Sequence, residues 1–227
     1  MRMSRKAGLL RAGRRLDSVY QGSLLKLNET VGGVTTAVPF RMVSHNGQIS
    51  GKTTLIRKYV FPVAQKWYDG YETTTSNFFP NSTIQAWLND TYYNYFDAAV
   101  KSLITGVSIP CGTYAYGVDN FTLKVFLLSG TEMGFSDANM YAEGSALSYL
   151  NNSGRRLQRL ADETPVPAWL RSYVKPEPFA AIYATNTSGG LGSAVFNSEQ
   201  YCSPAFTLPA STLISMAPDT DGCYFLV

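Results

Sequence analysis

Val38-Pro39-Phe40-Arg41-Met42-Val43 alternates at a period of two, the pattern of a half-buried strand. Downstream, His45-Asn46-Gly47 carries the Asn-Gly dipeptide of a tight turn. Thr53 to Val60 is then rich in β-branched residues and predicts the next strand. Upstream, Leu24, Leu25 and Leu27 form a short apolar stretch before the turn signal Gly32-Gly33. Further along, Asn81 or Ser82 can cap a helix whose Ile84, Trp87, Leu88, Tyr92 and Tyr95 share one face. A second helix is expected from Asp97, with Ala99, Val100, Leu103 and Ile104, ending at Gly106. Residues 123–128 read as a compact apolar strand. Ser129-Gly130-Thr131-Glu132 turns the chain, with Glu132 opening a short helical turn and 144–150 forming another. From Trp169 onward short strands follow at 181–184, 194–196, 205–208, 213–215 and 224–227. Strands, then helices, then many short strands predict an α+β domain. No internal repeat or Pro/Gly/Ser-rich linker divides it, so one domain is expected over 18–227.

Composition narrows the class. The 227 residues are 45% hydrophobic and only 15% charged, with 15 Tyr, 12 Phe and a single His. That hydrophobicity excludes a mostly disordered chain. No apolar run approaches the ~20 residues of a membrane-spanning helix. Cys111, Cys202 and Cys223 contain no C-x-x-C pair, so neither zinc nor a disulfide framework is implied, although Cys202 and Cys223 could meet between C-terminal strands.

The first fifteen residues hold Arg2, Arg5, Lys6, Arg11, Arg14 and Arg15 and no acid. The remaining 13 bases face 16 acids, so the body carries −3. Such a block is a solvated tail or an interaction arm. Its longest apolar run is Leu9-Leu10, which is no signal-peptide core. Residues 1–17 are expected to anchor the chain in an assembly. Nothing in the body supplies a second basic stripe, so nucleic acid is not an expected partner.

Several motifs look chemical and are not. Gly47 to Thr53 has three residues before its Gly-Lys pair, where a phosphate loop needs four, and β-branched residues follow it. A polar hairpin is the better reading. His45 sits on a turn with no acid beside it. Asp219-Thr220-Asp221-Gly222 opens like a calcium loop but lacks the later ligands. No catalytic residue, metal or cofactor is expected. Residues 173–203, with Tyr173, Tyr183, Asn186, Thr187, Ser188, Asn197 and Tyr201, have the Tyr/Asn/Ser composition of binding loops.

Ordered matches carry a family resemblance. Ser82-Thr83-Ile84-Gln85-Ala86-Trp87-Leu88-Asn89, Lys124-Val125-Phe126-Leu127-Leu128-Ser129 with Glu132 and Gly134, Glu143-Gly144-Ser145, Trp169-Leu170-Arg171-Ser172, Pro204-Ala205-Phe206-Thr207-Leu208 and Asp221-Gly222-Cys223-Tyr224 follow in sequence. Together they resemble domain of unknown function family 6273, a bacterial and phage family common in gut Firmicutes and their prophages. Ala168, Tyr173 and Ser203 depart from its Trp, Pro and Arg. The resemblance implies a C-type-lectin-like fold, related to the variable proteins of diversity-generating retroelements. That fold has two helices on twisted antiparallel sheets and a ligand face between the Trp-Leu-Arg and Pro-Ala-Phe strands. Calcium-type sugar binding and formylglycine-type oxidation find no motif here.

The expectation is therefore a non-enzymatic phage virion structural protein with a lectin-like domain, made in the bacterial cytoplasm and placed at the tail or baseplate. Its ligand face would use Arg171, Tyr173, Tyr183, Asn186, Asn197 and Tyr201. Its expected partners are other virion subunits, in homo- and hetero-oligomeric assembly, and host cell-surface polysaccharide, with no membrane. The rivals are a capsid or tail decoration protein with no host ligand, a bacterial surface or secreted binding module, and a lectin-fold oxidase or hydrolase using His45 or Cys202.

Overall fold

The alternating stretch lies inside one long strand, Val34–His45. Val38, Phe40, Met42 and Val43 are all buried, while Pro39 and Arg41 are only half-buried. Met42 and Val43 both point inward because the register with the next strand shifts between Met42 and Ser44. That is the effect of a bulge.

The computed structural model describes residues 13–69, 78–113, 117–175 and 181–227. Among them the strands are β1 (Gly13–Arg15), β2 (Leu24–Val31), β3 (Val34–His45), β4 (Lys52–Arg57), β5 (Gln65–Lys66), β6 (Val107–Thr113), β7 (Gly117–Leu123), β8 (Val125–Phe126), β9 (Ala168–Tyr173), β10 (Ala181–Thr185), β11 (Leu191–Val195), β12 (Glu199–Gln200), β13 (Ala205–Pro209), β14 (Leu213–Ser215) and β15 (Cys223–Phe225). The main sheet runs β15-β2-β3-β4-β13-β8. All its pairings are antiparallel except β15 with β2. A second sheet runs β11-β10-β9, and β6-β7, β5-β12 and β1-β14 form separate pairs. Phe206 of β13 centres the core, with its ring 5.1 Å from both Phe40 and Phe96.

This architecture corrects the expected α+β, lectin-like layout of two helices on sheets. Strand content is 41% and helix content 16%, and among the described residues only one helical run reaches seven or more residues. That run starts where the cap predicts: Ser82 Oγ accepts from Gln85 N, and α1 spans Thr83–Ala86. It then widens into a π segment (Trp87–Thr91) and tightens into a 3-10 turn (Tyr92–Tyr95). Asn89 and Asn94 donate from Nδ2 to the carbonyls of Gln85 and Asp90, competing with regular helix geometry. The apolar face still packs as expected, with Ile84, Leu88 and Tyr92 buried. The second helix, α2 (Ala98–Leu103), is capped by Asp97 but ends after six residues, short of Gly106. Beyond it, α3 (Ser153–Arg156) is a single turn. The β6-β7 hairpin was not read from the sequence, and 144–150 holds only the 3-10 turn Ser148–Leu150.

Of the basic arm, Arg2, Arg5, Lys6 and Arg11 lie outside the described residues. Arg14 and Arg15 belong to β1, which pairs with β14. Arg14 donates to Ser18 and Arg15 pairs with Asp17 at 2.7 Å, both on an exposed surface.

Asn89 joins the helical run to the main sheet. Its Oδ1 accepts from Lys124 N and Val125 N, both at 3.1 Å, and its Nδ2 donates to Val125 O at 2.9 Å. Replacing it strands the backbone N–H and C=O of buried Val125, each worth about 1–3 kcal/mol. Asn89→Ala should therefore destabilise the protein by roughly 2–3 kcal/mol, read as a lower urea midpoint at unchanged slope.

Candidate functional site

Arg171, expected on an exposed ligand face, is 1% exposed and sits at the centre of the molecule. Its five N–H groups are all used. Nε donates to Pro110 O, Nη1 to Leu127 O and Glu132 Oε2, and Nη2 to Glu132 Oε1 and Glu143 O. The Glu132 contacts, at 2.5 and 2.7 Å, form a bidentate pair. Burial opposes the Arg171 charge, but the facing Glu132 carboxylate outweighs it and the guanidinium pKa rises above its ordinary value. Glu132 also accepts from Ser129 N and from Gln48 Nε2, which brings the 46–51 loop into the same network. Glu143 accepts from Gly112 N at 2.5 Å and from the Ser172 hydroxyl. Neither Glu132 nor Glu143 was picked out as functional from the sequence. Their only signal was membership of the turn and small-loop motifs.

Burial pushes the Glu143 carboxyl up to about 7, against the pull of Arg171, Ser172 and Gly112. The folded state thus holds this proton more tightly than the unfolded chain. The resulting stability is fully present below the ordinary carboxyl value of 4.5 and is lost as pH rises through about 7. Thermal unfolding of the wild type minus that of Glu143→Gln should show this loss across that window. Arg171→Ala should cost about 3–5 kcal/mol in chemical unfolding, because it leaves the Glu132 carboxylate buried without its partner.

The other predicted ligand residues do not converge. Tyr173 and Tyr183 are buried; their hydroxyls donate to Thr113 O and Asp137 Oδ1. Tyr201 is half-buried against the Val60–Val166–Ala168 cluster, and Asn197 is exposed. Asn186 builds a turn, its Oδ1 accepting from Ser188 N, Ser188 Oγ and Gly190 N. Gly189 in that turn has φ +74, and a Cβ there would lie 2.1 Å from Ser153 O. The Asn186 turn therefore presses directly on α3.

The reactive side chains are enclosed. Cys111, Cys202 and Cys223 are free and buried, so Cys202 and Cys223 are not joined. Burial pushes the Cys111 and Cys202 thiols up to about 12. His45 Nδ1 is 2.9 Å from Thr53 Oγ1, and burial lowers its pKa, keeping the ring neutral at pH 7. No group of three or more metal-ligating side chains occurs among the described residues.

The open concavity that α3 borders is different. About 180 Å³ in volume, it is lined by Arg41, Arg57, Lys58, Arg155 and Arg159, with Glu163 as the one acid in its wall among the described residues. β3 supplies Arg41, β4 ends at Arg57, and the chain from Leu150 to Glu163 closes the opposite side. Arg57 is neutralised inside the protein by Glu29, which is 2% exposed. Arg41, Lys58 and Arg155 have no carboxylate partner among the described residues. The Arg41 and Arg155 guanidiniums lie 5.9 and 4.8 Å from the centre of the Tyr149 ring. Arg41 also donates to Tyr149 OH, and Arg155 to Tyr149 O. The expectation that the body holds no second basic surface is thereby corrected. Arg41 and Lys58 stand about a hundred positions from Arg155 and Arg159, and only folding brings them together. The Arg155-Arg156-x-x-Arg159 spacing was the signal available.

Ser203, at the position where the family resemblance has Arg, donates to Gln158 Oε1 at 2.5 Å beneath this groove. The family model described as domain of unknown function (DUF6273) matches residues 50–210. The chain belongs to that family, and the match takes in the Arg171 network apart from Gln48 and every groove residue except Arg41. Comparison with curated proteins and with solved structures finds no match, so nothing supports the expected lectin-like fold. No helix among the described residues is long and apolar enough to cross a membrane.

Proposed function

We propose that this chain is a non-enzymatic binding and structural module, of a phage particle as the resemblance implies, which takes an anionic surface polysaccharide in the Arg-lined groove. One observation carries the reading: the groove gathers Arg41, Lys58 and Arg155 without carboxylate partners. Like charges gathered without counter-charges repel one another and focus a positive potential in the concavity, and an anionic ligand offsets that repulsion. Tyr59 adds to the wall an aromatic side chain of the kind that packs against sugar rings. The enclosed thiols, the neutral His45 and the sealed Arg171–Glu132 pair favour binding over catalysis.

The groove replaces the 173–203 face as the proposed ligand site. A compact concavity on a body of net charge −3 outside the first fifteen residues fits a short stretch of glycan better than a long nucleic acid. Arg155→Ala should weaken binding to an acidic polysaccharide by roughly tenfold, the size of one charge-assisted hydrogen bond. Isothermal titration against acidic and neutral polymers of equal length tests this. Equal affinity for the neutral polymer would sink the reading.

A second reading, assembly contact, has its own support. Leu213, Met216, Phe225 and Val227 are exposed apolar side chains at the β14-β15 edge, where β1 enters. A neighbouring subunit would cover them in a decoration role. Light scattering of the full chain and of Leu213→Glu separates the two: assembly predicts an oligomer that the variant disperses.

A further inference from the structure

Glu163 lies at a position where its backbone is strained. Leu160 N donates to Thr164 O, so 161–163 form a three-residue hairpin loop. The last residue of such a loop adopts the left-handed conformation and is ordinarily Gly. Here it is Glu163, with φ +67, one of two non-glycine residues with positive φ among the described residues. Glutamate gains nothing from this conformation, unlike Asn or Asp. Strain of this kind persists where the side chain is held for a reason.

The reason is visible in its contacts. Tyr59 OH donates to Glu163 Oε1 at 2.7 Å. Lys58 Nζ donates to the same Tyr59 hydroxyl at 2.7 Å. Arg159 Nε lies 3.7 Å from Glu163 Oε2, and Arg159 Nη1 donates to Glu163 O at 2.7 Å. A carboxylate thus sits against a tyrosine hydroxyl and a guanidinium, with an ammonium one bond behind. Among the described residues it is the one acid in the wall of a groove lined by five cationic side chains. More than half of the side chain is exposed, so it can leave without opening the core.

We infer that Glu163 is an internal occupant of the groove's anion subsite, holding Tyr59 and Arg159 until a carboxylate or phosphate of the bound polysaccharide displaces it. This rests on the groove being the ligand site. The subsite accepts a group with at least two oxygens and a negative charge, one oxygen for the Tyr59 hydroxyl and one for Arg159. Such oxyanions occur as uronate carboxylates and as polyol phosphodiesters. The displaced carboxylate then faces water, and its repulsion with the ligand lowers affinity below what the cations alone would give.

The test titrates full-length wild type, Glu163→Gln, Glu163→Gly and Arg155→Ala with oligogalacturonate, polyglycerol phosphate, neutral dextran and a single-stranded oligonucleotide. Removing one partly exposed charge should tighten binding of the matching anionic polymer about two- to fivefold. Glu163→Gly should do the same and raise the melting temperature, since it also relieves the backbone. Tightening with oligogalacturonate alone assigns a carboxylate subsite, and with polyglycerol phosphate alone a phosphate subsite. If anionic polymers bind and Arg155→Ala weakens them, but neither Glu163 variant tightens them, the Glu163 inference fails while the groove stands. If no polysaccharide binds any variant, or the oligonucleotide outcompetes both, the groove reading itself fails and takes the inference with it.

Discussion

The buried pair of Arg171 and Glu132 holds together a part of the chain that has little regular structure of its own. Between β8 and β9, residues 127–167 contain only the Ser148–Leu150 turn and α3 as helical elements. Apart from the short hairpin around 161–163, backbone groups in this segment find no ladder partners, yet buried ones must be paired. The network supplies them. Arg171 takes the carbonyls of Pro110, Leu127 and Glu143, while Glu132 and Glu143 take the amides of Ser129 and Gly112. A guanidinium suits this role because it has five donors in a fixed plane and no acceptor to leave unpaired. A hydrophobic residue of equal size could fill the space but could not order three other stretches of chain, at 110, 127–132 and 143, around one point.

Much of the β framework was legible from local patterns. The alternation at 38–43 and the β-branched run at 53–60 both lie on or beside observed strands, and the short C-terminal strands fall close to their predicted places. Periodicity failed where two geometries share it. Ile84, Leu88 and Tyr92 face the core as a helix would place them, although the run passes through α, π and 3-10 turns that side-chain spacing cannot distinguish. The site was far less legible. Arg171 is expected on a ligand face, and only the fold brings Glu132, 39 positions away, to neutralise it. Tyr183 likewise looked available for ligand, but its hydroxyl is taken by Asp137, and no local pattern links 137 with 183.

The chain uses arginine in two opposed ways. Arg171 and Arg57 are enclosed and matched by Glu132 and Glu29, so they contribute order and no external field. Arg41 and Arg155 are held by one aromatic ring and keep their charge available. Stacking restricts their rotamers, which would lower the entropy lost on binding the proposed anionic ligand. The Asn186 turn contributes to the same rigidity from the other side, because Gly189 lets it touch Ser153 at a distance no larger residue allows. A residue first read as a contact for ligand thus works one layer behind the groove.

The three cysteines bear on where this fold can exist. Each thiol is buried and unpaired, and burial holds Cys111 and Cys202 far from the thiolate form that exchanges or oxidises. The fold therefore takes none of its cohesion from an oxidising environment and exposes little to be damaged by one. It is indifferent to redox poise. A chain of this kind completes its fold without any oxidation step.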